Sequence, residues 1–351
     1  MSQKKFYISN EEKIGKGAFG EVFIAYNEYD KNEPKIKYAA KKIPKFEELN
    51  NIDNQVSPKG MPLLTNIYNE IEINSQFTNE NLVTFFGIEE IEGNDYMIFE
   101  YCNGGDLQKT IKEYQKKYFN KKIPEKYIQK ILKDVMNGLT CLHRNLIVHH
   151  DIKPQNILVK YDNEEDKNNL LLDKATYKIT DFGLSKFKQT YNPEIGGTFP
   201  YLDPQILVYN RTEQEVKENE VVDIWAIGIL TYKLLTYQHP FIFHNINMNP
   251  NDQIKNNVKK GMLYWGVNGG EISLEALCFL DSCLKIDQNH RLSAEELEYS
   301  QFLCRNPNNF FILNENNFYN MPEEIKVNEI DDKIIQLNLS NSKKLTEILN
   351  I

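Results

Sequence analysis

Asp151, Lys153 and Asn156 stand close together in His149-His150-Asp151-Ile152-Lys153-Pro154-Gln155-Asn156. A carboxylate able to accept a hydroxyl proton, a cation two residues on and an amide oxygen further on form a compact set for moving a phosphoryl group. A second carboxylate, Asp181 in Ile179-Thr180-Asp181-Phe182-Gly183, has the chemistry to hold a magnesium ion against phosphates. Near the start, Gly15-Lys16-Gly17-Ala18-Phe19-Gly20-Glu21-Val22 is a glycine-rich segment whose backbone N–H groups can approach phosphates closely. Alone it is a weak signal, because dinucleotide folds use the same spacing. Those folds lead from a strand into a helix, whereas this segment leads into Val22-Phe23-Ile24, which reads as a strand.

The elements that must position these groups fall into two kinds. Residues 21–26, 38–43, 82–88 and 96–100 are short runs of β character, with one helix expected over 64–77 after a loose Pro- and Asn-rich loop at 44–62. Lys41 lies in one of these strands and Glu70 on the helix. Each is an ordinary surface residue unless the two meet as an ion pair. After Gly104-Gly105 the pattern turns helical. Ile128, Ile131, Leu132, Val135, Leu139 and Leu142 recur at helical spacing behind Pro124, and residues 221–235 are apolar almost all round, as for a helix buried in the centre of a lobe. The reading is therefore an α+β chain of two lobes with a cleft between them.

Composition removes other classes. The chain has 351 residues, 41% of them hydrophobic, so it can build a core. With 41 Lys+Arg against 50 Asp+Glu the net charge is −9, which argues against nucleic acid as a general partner. Met1–Lys5 shows no apolar secretion signal and Ser2 stands where myristoylation needs glycine. The longest apolar stretches are too short for a membrane span. Five Cys without a Cys-x-x-Cys pair fit idle thiols in a reducing compartment better than zinc or disulfides. A cytoplasmic location is the expectation. Residues 162–173 loosely imitate a calcium loop, but Lys167 stands where the sharp turn needs glycine, so a solvated insertion is the better reading.

Taken in order, the glycine loop, Lys41, Glu70, H-x-D-x-K-x-x-N, D-F-G, Gly197-Thr198-Phe199-Pro200-Tyr201 with Pro204, and Asp223-Ile224-Trp225 resemble the catalytic domain of eukaryotic protein kinases. The resemblance covers 7–304. It implies a small antiparallel-sheet N-lobe with one main helix (about 7–101), a hinge (about 101–105) and a larger, mostly helical C-lobe (about 106–304). It further implies ATP and Mg²⁺ as cofactors and protein Ser/Thr hydroxyls as acceptors, since the Lys153 form of the catalytic loop is similar to the serine/threonine type. By the same resemblance Lys41 holds the ATP phosphates and pairs with Glu70, Asp151 is the base, and Lys153 steadies the γ-phosphate. Asn156 and Asp181 carry the metal. Gly15, Gly17 and Gly20 cover the phosphates, and the backbone of Glu100 and Cys102 carries adenine behind Phe99. Val22, Ala39 and Leu158 clamp the adenine faces, and Asp106 meets the ribose.

Departures from the family pattern motivate an alternative, a pseudokinase-like scaffold that binds nucleotide without turnover. His150 stands where many kinases have Arg, so activity is expected to depend little on phosphorylation of the segment 184–198. Gln205 replaces the Glu of Ala-Pro-Glu and is expected to hydrogen-bond Arg291 without an ion pair, holding that loop more weakly. Asn74 occupies a position usually apolar, in a stack with Phe85, Phe182 and His149. Arg occurs at positions 144, 211, 291 and 305 only, so its use at 291 implies that the planar fork is needed there. The extension 305–351 carries apolar residues at Phe310–Leu313, Ile330, Ile334, Leu337, Leu345, Ile348 and Leu349. It is expected to be partly helical and packed on the large lobe, with docking of a regulator, or of the tail into its own cleft, as the other reading.

Overall fold

The glycine-rich segment closes a β-hairpin. A computed structural model describes residues 6–17, 20–29, 35–45, 60–187, 197–207, 219–242, 248–264, 271–304, 310–312 and 318–320. Strands β1 (Phe6–Gly17) and β2 (Gly20–Asn27) run antiparallel, with Gly17 opposite Gly20. At Gly20 φ is +153°, and a Cβ would lie 2.5 Å from the Lys42 carbonyl oxygen, so only glycine fits there. Strands β3 (Lys37–Lys42), β4 (Phe85–Ile91) and β5 (Asn94–Glu100) complete a sheet ordered β1-β2-β3-β5-β4. Across it, α1 (Gly60–Gln76) carries Glu70. This helix begins earlier than the apolar stripe alone implied. Pro62 falls in its first turn, where a missing N–H costs nothing.

Beyond the hinge, β6 (Gly105–Asp106) leads into α2 (Leu107–Lys117) and α3 (Glu125–Arg144). The expected stripe of α3, from Ile128 to Leu142, is fully buried. Next come β7 (Ile147–Val148), β8 (Ile157–Tyr161), α4 (Glu164–Asn169), β9 (Ala175–Ile179) and β10 (Lys186–Phe187). The polar run at 162–173 thus includes a short surface helix capped by Asn163, whose side chain accepts from the Asp166 N–H. The small sheet β6-β8-β9 and the β7-β10 pair bracket the catalytic loop between them.

The rest of the large lobe is helical: α5 (Pro204–Leu207), α6 (Val221–Thr236), α7 (Pro250–Lys259), then β11 (Met262–Tyr264), β12 (Glu271–Ser273) and α8 (Leu274–Cys283). The short helices α9 (Ala294–Glu298) and α10 (Gln301–Cys304) follow, α9 opened by a Ser293–Glu296 capping box. Helix α6 buries every residue except Lys233 and is the centre of one large core, whereas the sheet lobe holds two small ones. Each fully buried Leu or Ile on it stabilises the fold by about 1.5–3 kcal/mol, which makes α6 a rigid post.

The extension differs from its expectation where it is described. Residues 310–312 and 318–320 are strands, not helix: β13 (Phe310–Ile312) pairs with β12 and β14 (Phe318–Asn320) with β11. Short apolar runs satisfy strand and helix periodicities equally, and the open strands 262–264 and 271–273 decide the outcome. The apolar positions from Ile330 to Leu349 lie outside the described residues, as do Ala18, Phe19, Lys188, Thr190, Tyr191, Arg211 and Arg305. No helix among the described residues is long and apolar enough to cross a membrane.

Candidate active site

Lys41 on β3 and Glu70 on α1 meet in the interior of the small lobe. The Lys41 ammonium donates to both Glu70 oxygens, at 2.6 and 2.7 Å, and lies 3.5 Å from Oδ1 of Asp181. Burial alone would drive this lysine toward neutrality. The two carboxylates outweigh burial and raise its pKa, so it stays a cation. Three segments far apart in the chain therefore converge on one charge, as the Lys41–Glu70 reading requires.

Asn74, one turn after Glu70, is buried and donates its amide to the Glu70 carbonyl at 2.7 Å. The polar group expected to disturb an apolar stack thus finds its partner within its own helix. The aromatic neighbours divide. Phe182 sits edge-on to His149 at 5.5 Å, while Phe85 packs on Phe99 at 5.3 Å.

Asp151 is the most heavily hydrogen-bonded carboxylate of the catalytic loop. Its Oδ1 accepts from the Thr198 N–H (3.0 Å) and hydroxyl (2.7 Å), and its Oδ2 from Lys153 (2.6 Å) and Asn156 (2.9 Å). Lys153 also donates to the Thr198 hydroxyl oxygen at 2.7 Å. The loop holding these groups is fixed from below by Asp223 on α6. This fully buried carboxylate accepts the N–H groups of His149 and His150, both at 2.8 Å, and faces His143 Nε2 at 2.9 Å. Burial would raise the Asp223 pKa, but the His143 hydrogen bond and the surrounding histidines hold it below the ordinary value. His149 Nδ1 accepts the Asp151 N–H, so its Nε2 carries the proton and donates to the Thr180 carbonyl. That bond joins the catalytic loop to the residue before Asp181, which itself has a left-handed backbone (φ 67°).

The metal expectation has the right donor chemistry. The Asn156 NH₂ group is committed to the Asp151 carbonyl and carboxylate, so the amide presents its oxygen, and Asp181 offers a carboxylate. Two hard oxygen donors suit Mg²⁺.

At the hinge, Phe99 is buried on β5, and Ala39 and Leu158 border its cluster. Val22 pairs in register with both Gly15 and Lys41, which places it beneath the glycine hairpin. The Glu100 N–H is spent on the Thr84 carbonyl and the Cys102 carbonyl accepts from Gly105. Asp106 accepts the Lys109 N–H at 2.8 Å as the cap of α2. The Glu100 side chain joins a charge cluster that the sequence reading missed. It takes Lys160 of β8 at 2.7 Å, Lys178 of β9 at 2.8 Å and the Thr84 N–H at 2.8 Å. Burial would raise its pKa, but the Lys160 and Lys178 hydrogen bonds bring it down to about 2.

A carboxylate depressed in this way stabilises the fold above its unfolded pKa of about 4.5 and loses that contribution as pH falls toward 2. Glu100→Gln is expected to be less stable than wild type at neutral pH. The gap between the two should close through that window, as read by urea midpoints at stepped pH. A constant gap would show that Glu100 does not titrate as described.

Arg291 corrects one expectation. Its guanidinium pairs with Asp203, donates to the Val221 carbonyl at 3.0 Å and to the Lys285 carbonyl at 2.7 Å, and stacks on Trp225 at 5.0 Å. Gln205 does not bond Arg291. Among the described residues its amide reaches only the Ile286 carbonyl, at 3.5 Å, and its Oε1 is buried without a partner. The carboxylate has moved two residues upstream within the motif, so the loop retains a fully buried ion pair.

With this geometry in place, comparison with known proteins is direct. Residues 8–303 match the protein kinase domain family. The chain belongs to that family. The serine/threonine-kinase-like R517/R518 protein of Acanthamoeba polyphaga mimivirus is 30% identical over 83% of this chain and 62% of its own length. Calcium-dependent protein kinase 5 of Plasmodium berghei is 28% identical over 84% of the chain and 45% of its own length. Serine/threonine-protein kinase 33 of Mus musculus is 28% identical over 84% and 54%. The kinase chain thus spans about half the length of these relatives.

Proposed function

We propose that this protein kinase domain is an active, ATP-dependent serine/threonine kinase that transfers the γ-phosphoryl group of ATP to hydroxyls of protein substrates. The observation that carries the reading is that Lys41, Glu70 and Asp181 form one bonded cluster and Asp151, Lys153, Asn156 and Thr198 another, joined where the Thr180 N–H donates to the Asn156 carbonyl. Asp151 accepts the acceptor hydroxyl proton as that oxygen attacks phosphorus. Lys153, already bonded to Asp151 and Thr198, offers its remaining N–H to the moving phosphoryl oxygens, and Lys41 offers its ammonium to the phosphates that stay behind. Glu70 and Asp181 keep Lys41 charged and aimed. When bound through Asn156 and Asp181, Mg²⁺ supplies further neutralisation of phosphate charge. Catalysis of this kind is positioning plus preorganised charge.

The departures at Asn74 and Gln205 do not weaken this reading, because each has a local substitute: the Glu70 carbonyl for the first and Asp203 for the second. The test is phosphate transfer from ATP with Mg²⁺ to a generic Ser/Thr protein substrate, alongside nucleotide binding. Transfer abolished by Lys41→Met is the expected result. Nucleotide binding by wild type without any transfer would sink the enzyme reading in favour of a scaffold.

A further inference from the structure

Helix α6 is buried along its whole length except at Lys233. Among the described residues the ammonium there donates to Gln108 Oε1 of α2 at 2.7 Å and to the Tyr201 hydroxyl at 3.3 Å, and both are neutral. Its electrostatic neighbour is another cation, Lys112, and burial together with Lys112 lowers the Lys233 pKa. A half-buried ammonium with neutral partners is an unfinished arrangement, since removing charge from water is repaid only by an opposite charge.

The position of this cation matters. Tyr201 ends the turn Phe199–Tyr201, which begins directly after Thr198, the residue bonded to Asp151. Asp151 in turn raises the Tyr201 pKa, after burial, so the two side chains share a field. Lys233 is thus one aromatic ring away from the place where the acceptor hydroxyl must lie. The other side of the turn is also positive. Lys255 of α7, exposed, holds its ammonium 5.6 Å from the Phe199 ring centroid, and Lys153 stands beside Thr198. Gln155, exposed between Lys153 and Asn156, is neutral. On the two flanking helices the described carboxylates include Glu113, at 3.9 Å from Lys109, and Asp252 in the first turn of α7. The carboxylates that border the turn, Asp151 and Asp203, are already paired with Lys153 and Arg291, which leaves the Lys233 and Lys255 ammoniums to meet an incoming peptide.

We propose that this kinase selects acidic acceptor peptides: Ser/Thr flanked by Asp or Glu, whose carboxylate completes the Lys233 site while Lys255 and Lys112 add to the attracting field. The inference rests on the kinase reading above and names its substrate class. An incoming carboxylate at Lys233 would replace water on a partly desolvated cation, where a charge pair is worth more than at an open surface. An Arg-flanked peptide would meet like charge at the same place.

The test uses the full chain and three Ser peptides of equal length whose flanking residues are Glu, Ala or Arg. Turnover is read as kcat/KM, and binding of labelled peptides is read separately by fluorescence anisotropy. The Glu peptide is expected to exceed the Arg peptide by about tenfold in both readouts, the change that one partly desolvated charge pair produces, and the ratio should shrink as salt rises. Lys233→Arg should keep the ratio, Lys233→Gln narrow it and Lys233→Glu invert it. A Lys233 that served only as a strut between α2 and the turn would alter stability in these variants while leaving the ratio where it was. Equal or Arg-favouring binding by wild type overturns the proposal. Preference for Glu peptides without turnover overturns the kinase reading instead and leaves this one standing.

Discussion

Asp151→Asn is expected to lower kcat by about 10²–10⁴-fold, the range for losing a positioned general base, while leaving the KM for ATP nearly unchanged. The two effects separate because the groups do. Asp151 is tied to Lys153, Asn156 and Thr198, whereas Lys41 is held by Glu70 and Asp181 in a separate bonded cluster. An amide at 151 keeps the shape but cannot take the acceptor proton. It also carries one oxygen where the native site uses two. Each Asp151 oxygen now receives two donors, so the amide NH₂ would face either Lys153 with Asn156 or the Thr198 N–H and hydroxyl, donor against donor. A shift of Thr198 should accompany the loss of rate. Steady-state kinetics with varied ATP and varied peptide reads both parameters. A variant within tenfold of wild-type kcat would remove Asp151 from the role assigned to it.

The site was legible in the sequence to the extent that its groups are fixed by local spacing. Asp151, Lys153 and Asn156 sit on one short loop, where the chain has little freedom to send them apart. The strands at β2, β3 and β5 and the helices α3 and α6 were likewise legible, because their burial follows a period written in the residues. What could not be read is partner choice among residues distant in the chain. Glu100, Lys160 and Lys178 come from three strands, and each alone resembles a solvated surface charge. Asp223 was visible as part of a motif, but only the fold shows it gripping the N–H groups of two consecutive histidines. The tail strands depend on which edges the large lobe leaves open. Lys233, with Asp223 one of the two charged residues in an otherwise mostly apolar helix, was a signal that was available and whose meaning needed Tyr201 and Gln108 beside it.

The Asp203 substitution turns the same lesson into a stability measurement. The side chains of Arg291 and Asp203 are both fully enclosed. Removing one partner of such a pair strands a charge in the interior and costs about 3–5 kcal/mol, far more than the net worth of the intact pair. Asp203→Ala is therefore expected to lose about that much in urea unfolding. The remaining Arg291 acceptors are the carbonyls of Val221, Lys285 and Ile286, and none of them carries charge. Gln205→Ala should cost less than about 1 kcal/mol, since it gives up one long hydrogen bond and a buried oxygen with no partner. The double variant Asp203→Ala with Gln205→Glu returns a carboxylate to the position most of the family uses, and should recover part of the loss. Activity should follow stability across the three variants. Asp203 opens α5 on the same segment as Thr198, and Thr198 is what Asp151 holds. Equal costs for Asp203→Ala and Gln205→Ala would mean that the motif had kept its usual partner after all. A cost confined to Asp203 would show that an ion pair can shift by two residues within a motif and hold the same loop.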